Sequence, residues 1–403
     1  MRSPRRVLIL TSDTGAGHRS VSNALIEAAR QRPEAGLELV DLDPFVALPP
    51  ALGGARKAAP APRAGRSLID QVVGLYGPII VHAPWLWGLI FRAANNDVML
   101  GAYLSTFGTI VLERVVAAAQ RIEAEALVSV HPLVNHVMVR ARRRLARPVL
   151  PLLTVVTDLV DVHRWWAAPE IDQYVAGSDL AARTLEAYGV PPQKIAVLGI
   201  PIRREFQQVE TSAREMRQRL RLEPDQTTIL VMGGGDGAGG IVDVARAIAA
   251  LSKRGAPPFQ LVVLAGRNVR ARMRLEAQPW PVPVRVHGIV GNVAEHMIAA
   301  DLIVTKPGSL TVSEALAVGR PLVLGRPLPG QEEGNVAYVV ERGAGLHYRS
   351  PREAADAVAY LLEKPDLRWE MGQQALRLSR PRSTERTLDL LQALLLRREL
   401  GTR

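Results

Sequence analysis

Short unbroken apolar runs alternate with longer stretches of helical period along nearly the whole chain. Residues 7–11, 37–42, 126–130, 152–157, 173–176 and 195–198 are runs of the first kind, as buried strands of a parallel sheet require. Between them the spacing predicts helices at 20–30, where Val21, Ala24, Leu25 and Ala28 share one stripe, and at 109–121 and 137–146. The plan then repeats, with strands expected at 228–232, 260–264, 284–286, 301–305 and 321–325. Helices are expected from Ser309 and at 351–362, 367–378 and 383–398. Such alternation builds an α/β fold of parallel sheets covered by helices. At 403 residues the chain exceeds one ordinary core, and two domains of roughly 200 residues are expected.

Two stretches depart from this rhythm. Residues 49–66 are rich in Ala, Pro, Gly and Arg without periodicity and read as a loop. Residues 72–91 hold no Asp, Glu, Lys or Arg and are long enough to just cross a bilayer. Pro78, Pro84 and His82 count against a spanning helix, whereas Trp85 and Trp87 beside Arg92 suit an element resting among lipid headgroups. A buried helical hairpin is the competing reading. Arg140, Arg142, Arg143 and Arg144 either meet lipid phosphates or form a solvated face.

Charge narrows the partners. A formal net charge of +11 attracts something anionic: nucleic acid, a lipid surface or a nucleotide. With only five Phe and no basic–aromatic alternation, no base-stacking platform is present, and nucleic acid is not an expected partner. Cysteine is absent, which excludes disulfides and thiolate metal sites and suits a reducing compartment. The apolar run 7–10 is too short for a signal peptide, so a cytoplasmic protein is expected.

The stretch 303–336 carries the densest candidate chemistry. A strand ends at Thr305, Pro307 and Gly308 turn the chain, and Ser309 and Thr311 open a helix bearing Glu314. Free amides at a helix start seat phosphate, and Glu314 lies one turn further in, within reach of ribose hydroxyls. A second strand leads to Gln331, Glu332 and Asn335, suited to the hydroxyls of one sugar ring. The glycine-rich run 233–240, with Gly234 and Gly235, is a second phosphate seat. It lacks the Gly-Lys-Ser/Thr ending of an ATPase loop. Arg267 follows the next strand, and backbone groups around Ile289 are placed to read a base edge.

Near the start, His18 follows Gly17 at the carboxyl end of the first strand. A neutral imidazole there takes a proton as a general base, or merely caps the helix or bonds a loop carbonyl. Asp41 and Asp43 either hold a metal between phosphates or end a strand and cap a turn.

Several pieces together resemble the monogalactosyldiacylglycerol synthases. They are Ser12-Asp-Thr-Gly-Ala-Gly-His-Arg19, Ser129-Val-His-Pro-Leu133, Thr154-Val-Val-Thr-Asp158, Gly199-Ile-Pro-Ile-Arg203, Ala265-Gly-Arg-Asn268 and Pro329-Gly-Gln-Glu-Glu-Gly-Asn335. That family includes bacterial glucosyldiacylglycerol synthases, and the peptidoglycan enzyme that adds N-acetylglucosamine to lipid I is a relative. The match spans nearly the whole chain in order, and the last box is its most specific part.

The resemblance implies a GT-B fold of glycosyltransferase family 28, two Rossmann-like domains facing a cleft. It sets an acceptor- and membrane-binding domain at 1–200, a UDP-sugar domain at 201–380, and a final helix at 381–403 returning to the first domain. It implies an inverting transfer of galactose or glucose from a UDP-sugar to the free hydroxyl of 1,2-diacylglycerol, with no cofactor and no catalytic metal. His18 is then the base, and Gly17, Trp85, Trp87 and His131 are acceptor or membrane contacts. Donor contacts fall at Gly234, Gly235, Arg267, Ile289, Ser309, Thr311, Glu314, Gln331, Glu332 and Asn335. It further implies attachment to anionic membrane lipid, on the inner face of the cell membrane. An N-acetylglucosaminyltransferase using a polyprenyl-linked acceptor, a UDP-sugar 2-epimerase and a non-catalytic nucleotide-sugar-binding regulator are the competing readings. Oligomeric state stays open.

Overall fold

The structure, a computed structural model, describes residues 4–12, 16–46, 83–235, 237 and 240–401. The expected loop 49–66 and residues 72–82 of the uncharged segment lie outside these. The chain forms two units, Met1–Arg203 with Arg382–Arg403, and Arg204–Pro381.

The first unit is built on six strands: β1 (Arg5–Leu10), β2 (Leu37–Leu42), β3 (Ala126–Ser129), β4 (Leu152–Val155), β5 (Gln173–Ala176) and β6 (Ile195–Val197). They lie in the order β2-β1-β3-β4-β5-β6, every pair parallel. Val7 to Leu10 are fully buried because β1 is central and covered on both faces. Leu8, Leu10 and Leu127 share a core with Val111, Val115, Val134 and Met138 of helices Phe107–Arg121 and Pro132–Arg144. The latter helix begins five residues before the expected 137. Pro132 suits a first helical turn, and His131 caps it by accepting the Leu133 amide at 3.3 Å.

Helix Ser383–Gly401 completes this unit. Ser383 and Thr384 donate their hydroxyls to the carbonyls of Ile200 and Ile202, at 3.0 and 2.6 Å. Leu388, Leu391 and Leu395 are buried along one stripe, and Arg32 pairs with Asp389 at 2.9 Å.

The second unit carries β7 (Thr227–Met232), β8 (Phe259–Leu264), β9 (Val284–His287), β10 (Leu302–Thr305), β11 (Leu322–Leu324) and β12 (Gly345–His347). Their order is β12-β11-β10-β7-β8-β9, again all parallel. Ile229, Val231, Leu302, Val304 and Val323 pack with helices Ile241–Ala249 and Pro351–Leu362. Strand β11 ends at Leu324, so Gln331 lies in a turn and Asn335 on helix Glu333–Val340. Each sheet reverses its winding once, between β1 and β3 and between β7 and β10. In open α/β sheets the crevice at the carboxyl ends of such a strand pair is where ligands sit.

Candidate active site

At the first unit's reversal, His18 lies in the first turn of helix Ala16–Gln31, directly after β1. Its Nδ1 is 2.7 Å from the Val130 carbonyl, just past the end of β3, and 3.0 Å from the Thr157 hydroxyl. A carbonyl only accepts, so Nδ1 carries the hydrogen and Nε2 keeps the lone pair. The ring is 4.4 Å from that of His131 and 6.5 Å from that of Trp166, while Phe45 lies 5.5 Å from His131. Trp166 is held by donating its indole N–H to Asp158 at 2.7 Å.

Burial in this aromatic box pushes the His18 pKa down to about 4, against the pull of the Val130 carbonyl. His131 is held well below its ordinary range by burial and by His18 beside it. Both rings are therefore neutral at pH 7. The two sequence readings of His18 turn out compatible, since one ring nitrogen bonds a loop carbonyl and the other keeps its lone pair.

Gly17 lies inside the helix rather than in a loop, and a side chain there would meet nothing within 4 Å. Asp41 pairs with Arg19 at 2.5 Å, and Asp43 accepts the Phe45 amide at 3.0 Å. These carboxylates serve an ion pair and a turn.

Trp85 and Trp87 lie on helix Pro84–Ala94, where Trp85 is 65% exposed. Phe91 of that helix meets His163 at 4.7 Å, and His163 caps the short turn Arg164–Trp166 whose last ring walls His18. Leu89, Ile90, Val98, Met99, Phe107 and Ile110 continue an exposed apolar set over three successive helices, with Val98 80% exposed. Among the described residues no single helix is long and apolar enough to cross a membrane. Three of the four arginines are engaged within the protein: Arg140 donates to the Leu104 carbonyl, Arg142 to Asp172, and Arg143 to Glu170. These three side chains are spent on partners within the unit, an arrangement that neither the lipid nor the solvated reading describes.

At the second reversal four loops adjoin. The Arg267 amide donates to the Gly235 carbonyl at 2.8 Å. A Cβ on Gly266, which has φ +57°, would sit 2.5 Å from that same carbonyl oxygen, so only glycine fits. Gly288 lies close to the Gly266 carbonyl, and Ile289 after it is 71% exposed. Ser309, Thr311 and Glu314 lie on helix Ser309–Ala317 directly after β10.

Asn335 is fully buried and donates to the Pro307 carbonyl at 2.8 Å and to the Ser309 hydroxyl at 3.1 Å. Glu332, its side chain 8% exposed, pairs with Lys306 and accepts the Leu328 amide at 3.0 Å. The specific box of the sequence thus braces the turn into helix Ser309–Ala317. Lys306, Thr157 and the Val130 carbonyl went unassigned in the sequence, although each lies in a stretch singled out there; Trp166 lies in none. A lone lysine before Pro-Gly carries no periodic signal.

Residues 63–202 match the family model for monogalactosyldiacylglycerol synthase, and residues 228–374 match that for the glycosyltransferase family 28 C-terminal domain. A probable monogalactosyldiacylglycerol synthase 2, chloroplastic, from Oryza sativa subsp. japonica is 35% identical over 88% of this chain and 73% of its own. Among solved structures, MurG of Acinetobacter baumannii superposes with TM-score 0.56 at 15% identity, covering 97% of this chain and all of its own. A UDP-GlcNAc 2-epimerase from Neisseria meningitidis bound to UDP-GlcNAc gives 0.60 at 13%, covering 96% and 99%. These likenesses establish the GT-B fold and, at such identities, only the fold. Relatives named chloroplastic also overturn the expected placement in the cytoplasm on the inner face of a cell membrane as a property of this kind of protein.

Proposed function

Because this chain belongs to the monogalactosyldiacylglycerol synthase family, we propose that it transfers a hexose from a UDP-sugar to the free hydroxyl of diacylglycerol with inversion. The observation that carries the reading is His18, whose Nδ1 hydrogen is committed to a backbone carbonyl while Nε2 keeps its lone pair at a ligand crevice. In the reaction the acceptor oxygen bonds to the sugar C1 and its proton passes to Nε2. The bond from C1 to the β-phosphate oxygen breaks, and its electron pair leaves with UDP.

The second unit supplies the donor's contacts. The amides after β7 and at the start of helix Ser309–Ala317 receive the phosphates, and Glu314 the ribose. Gln331 offers an amide to the sugar. No metal and no cofactor is required. The exposed apolar set from Trp85 to Ile110, with the +11 charge, suits an anionic lipid surface that delivers the acceptor. Binding to anionic vesicles that weakens with salt supports this, and equal binding to neutral vesicles removes its electrostatic part.

The decisive experiment offers UDP-galactose, UDP-glucose and UDP-N-acetylglucosamine with and without diacylglycerol, followed by analysis of lipid product and free UDP. Diacylglycerol-dependent glycolipid from one of the hexoses is expected. Isomerised sugar nucleotide without acceptor would replace the transferase by an epimerase, and UDP binding without any turnover would leave a regulator.

A further inference from the structure

We propose that Lys306 is the cation that holds the donor's diphosphate and faces the negative charge leaving with it, an inference that rests on the UDP-sugar reading above. A diphosphate leaving group gains a full unit of charge as the bond to C1 breaks. Helix amino ends and loop amides answer that with partial charges only. The structure puts a full positive charge, that of Lys306, beside the glycine loop after β7 and the turn into helix Ser309–Ala317, and its neighbours fix where it points.

Lys306 follows β10 directly, at the strand pair where the second sheet reverses. Its stem lies against the glycine loop after β7, since a Cβ built on Gly234 would be 3.3 Å from Lys306 Cε. Its ammonium stands over the turn into helix Ser309–Ala317, since a Cβ on Gly308 would be 3.1 Å from Nζ and 3.5 Å from Glu332 Oε1. Two glycines therefore leave the lysine uncovered on either side, with a phosphate seat beyond each.

Glu332 explains why this lysine does not swing into solvent. Its side chain is almost fully buried, and its second oxygen is anchored on the Leu328 amide, whereas Lys306 is 32% exposed. An ammonium carries three N–H donors; the pair with Glu332 uses one, and two are left for phosphate oxygens. Asn335 holds the Pro307 carbonyl and Ser309 in register beneath. Glu332 and Asn335 thus act as positioning residues for Lys306 and the turn that follows it. The electron pair of the broken bond moves onto the β-phosphate oxygen, which faces the Lys306 ammonium.

The test compares uridine, UMP and UDP binding by calorimetry in wild type, Lys306→Met and Lys306→Arg, with kcat measured alongside. Lys306→Met is expected to bind uridine as wild type does and to lose UDP affinity by about 10–100-fold, the worth of a charge-assisted hydrogen bond. UMP should fall between, kcat should fall as well, and Lys306→Arg should recover most of the loss. UDP affinity unchanged in Lys306→Met overturns the proposal. So does an equal loss for uridine and UDP, which marks a lysine that only supports the fold. Wild type failing to bind UDP at all would sink the donor reading itself, a result distinct from either.

Discussion

The two sheet reversals hold opposite kinds of environment on the same scaffold. Between β1 and β3 the crevice is walled by Trp166, Phe45 and His131, and its polar atoms are tied to backbone carbonyls and hydroxyls. Between β7 and β10 it is glycine backbone, helix amides and an ion pair. The first keeps a histidine neutral by withholding solvent from its charged form; the second keeps a charge in place with a buried counterion. In the proposed reaction, one fold thus separates proton transfer from charge neutralisation by what surrounds each crevice.

The sharpest way to break this comparison is to remove the base. His18→Ala should lower kcat by roughly 10²–10⁴-fold and leave UDP affinity as it was, because its ring contacts all lie in the first unit. Near-wild-type turnover in that variant would reassign the base.

Next in size is Asn335→Ala, which strips the Pro307 carbonyl and Ser309 of their buried donor. A loss of about 1–3 kcal/mol in the second unit's unfolding free energy is expected, with weaker UDP binding, read by denaturant titration. Unchanged stability would mean that the turn before helix Ser309–Ala317 holds itself.

Acid should discriminate the units more gently. Unfolded imidazoles take up protons below about 6.5, but folded His18 and His163 do not until about 4, and burial holds His131 well below its ordinary range too. Stability is then flat above pH 6.5 and declines as pH falls from 6.5 toward 4, because the unfolded chain binds more protons in that window. The first unit carries those three rings, against His296 as the strongest case in the second, so its melting transition should shift further between pH 7 and 5. Equal shifts would deny the contrast in burial.

The smallest expected effect is none. Chelation of divalent ions with EDTA should leave turnover unchanged if amides and Lys306 meet the diphosphate's charge, and a metal-restored loss would refute that.

Most strands were legible because buried parallel strands leave unbroken apolar runs, and 7–11, 37–42 and 260–264 fall within a residue or two of their observed bounds. The helix starting at Pro132 was read five residues late. Its start is set by a proline and a capping histidine rather than by periodicity. In the sites, the phosphate seats were visible as glycines and helix starts, which are local. The engagement of Glu332 with Lys306 and of His18 with Val130 was not, since partners 26 and 112 residues apart leave no mark in spacing.

The closing helix has a consequence for how the protein is made. The chain leaves the first unit at Arg203 and re-enters it at Arg382, so the second unit is an insertion within the first. During synthesis the carbonyls of Ile200 and Ile202, and the face of helix Ala16–Gln31 that Leu388 to Leu395 complete, wait for residues 383–395 to emerge. The first unit is thus completed only after the second has been made, and a truncation after Arg203 yields an incomplete body rather than a free-standing domain.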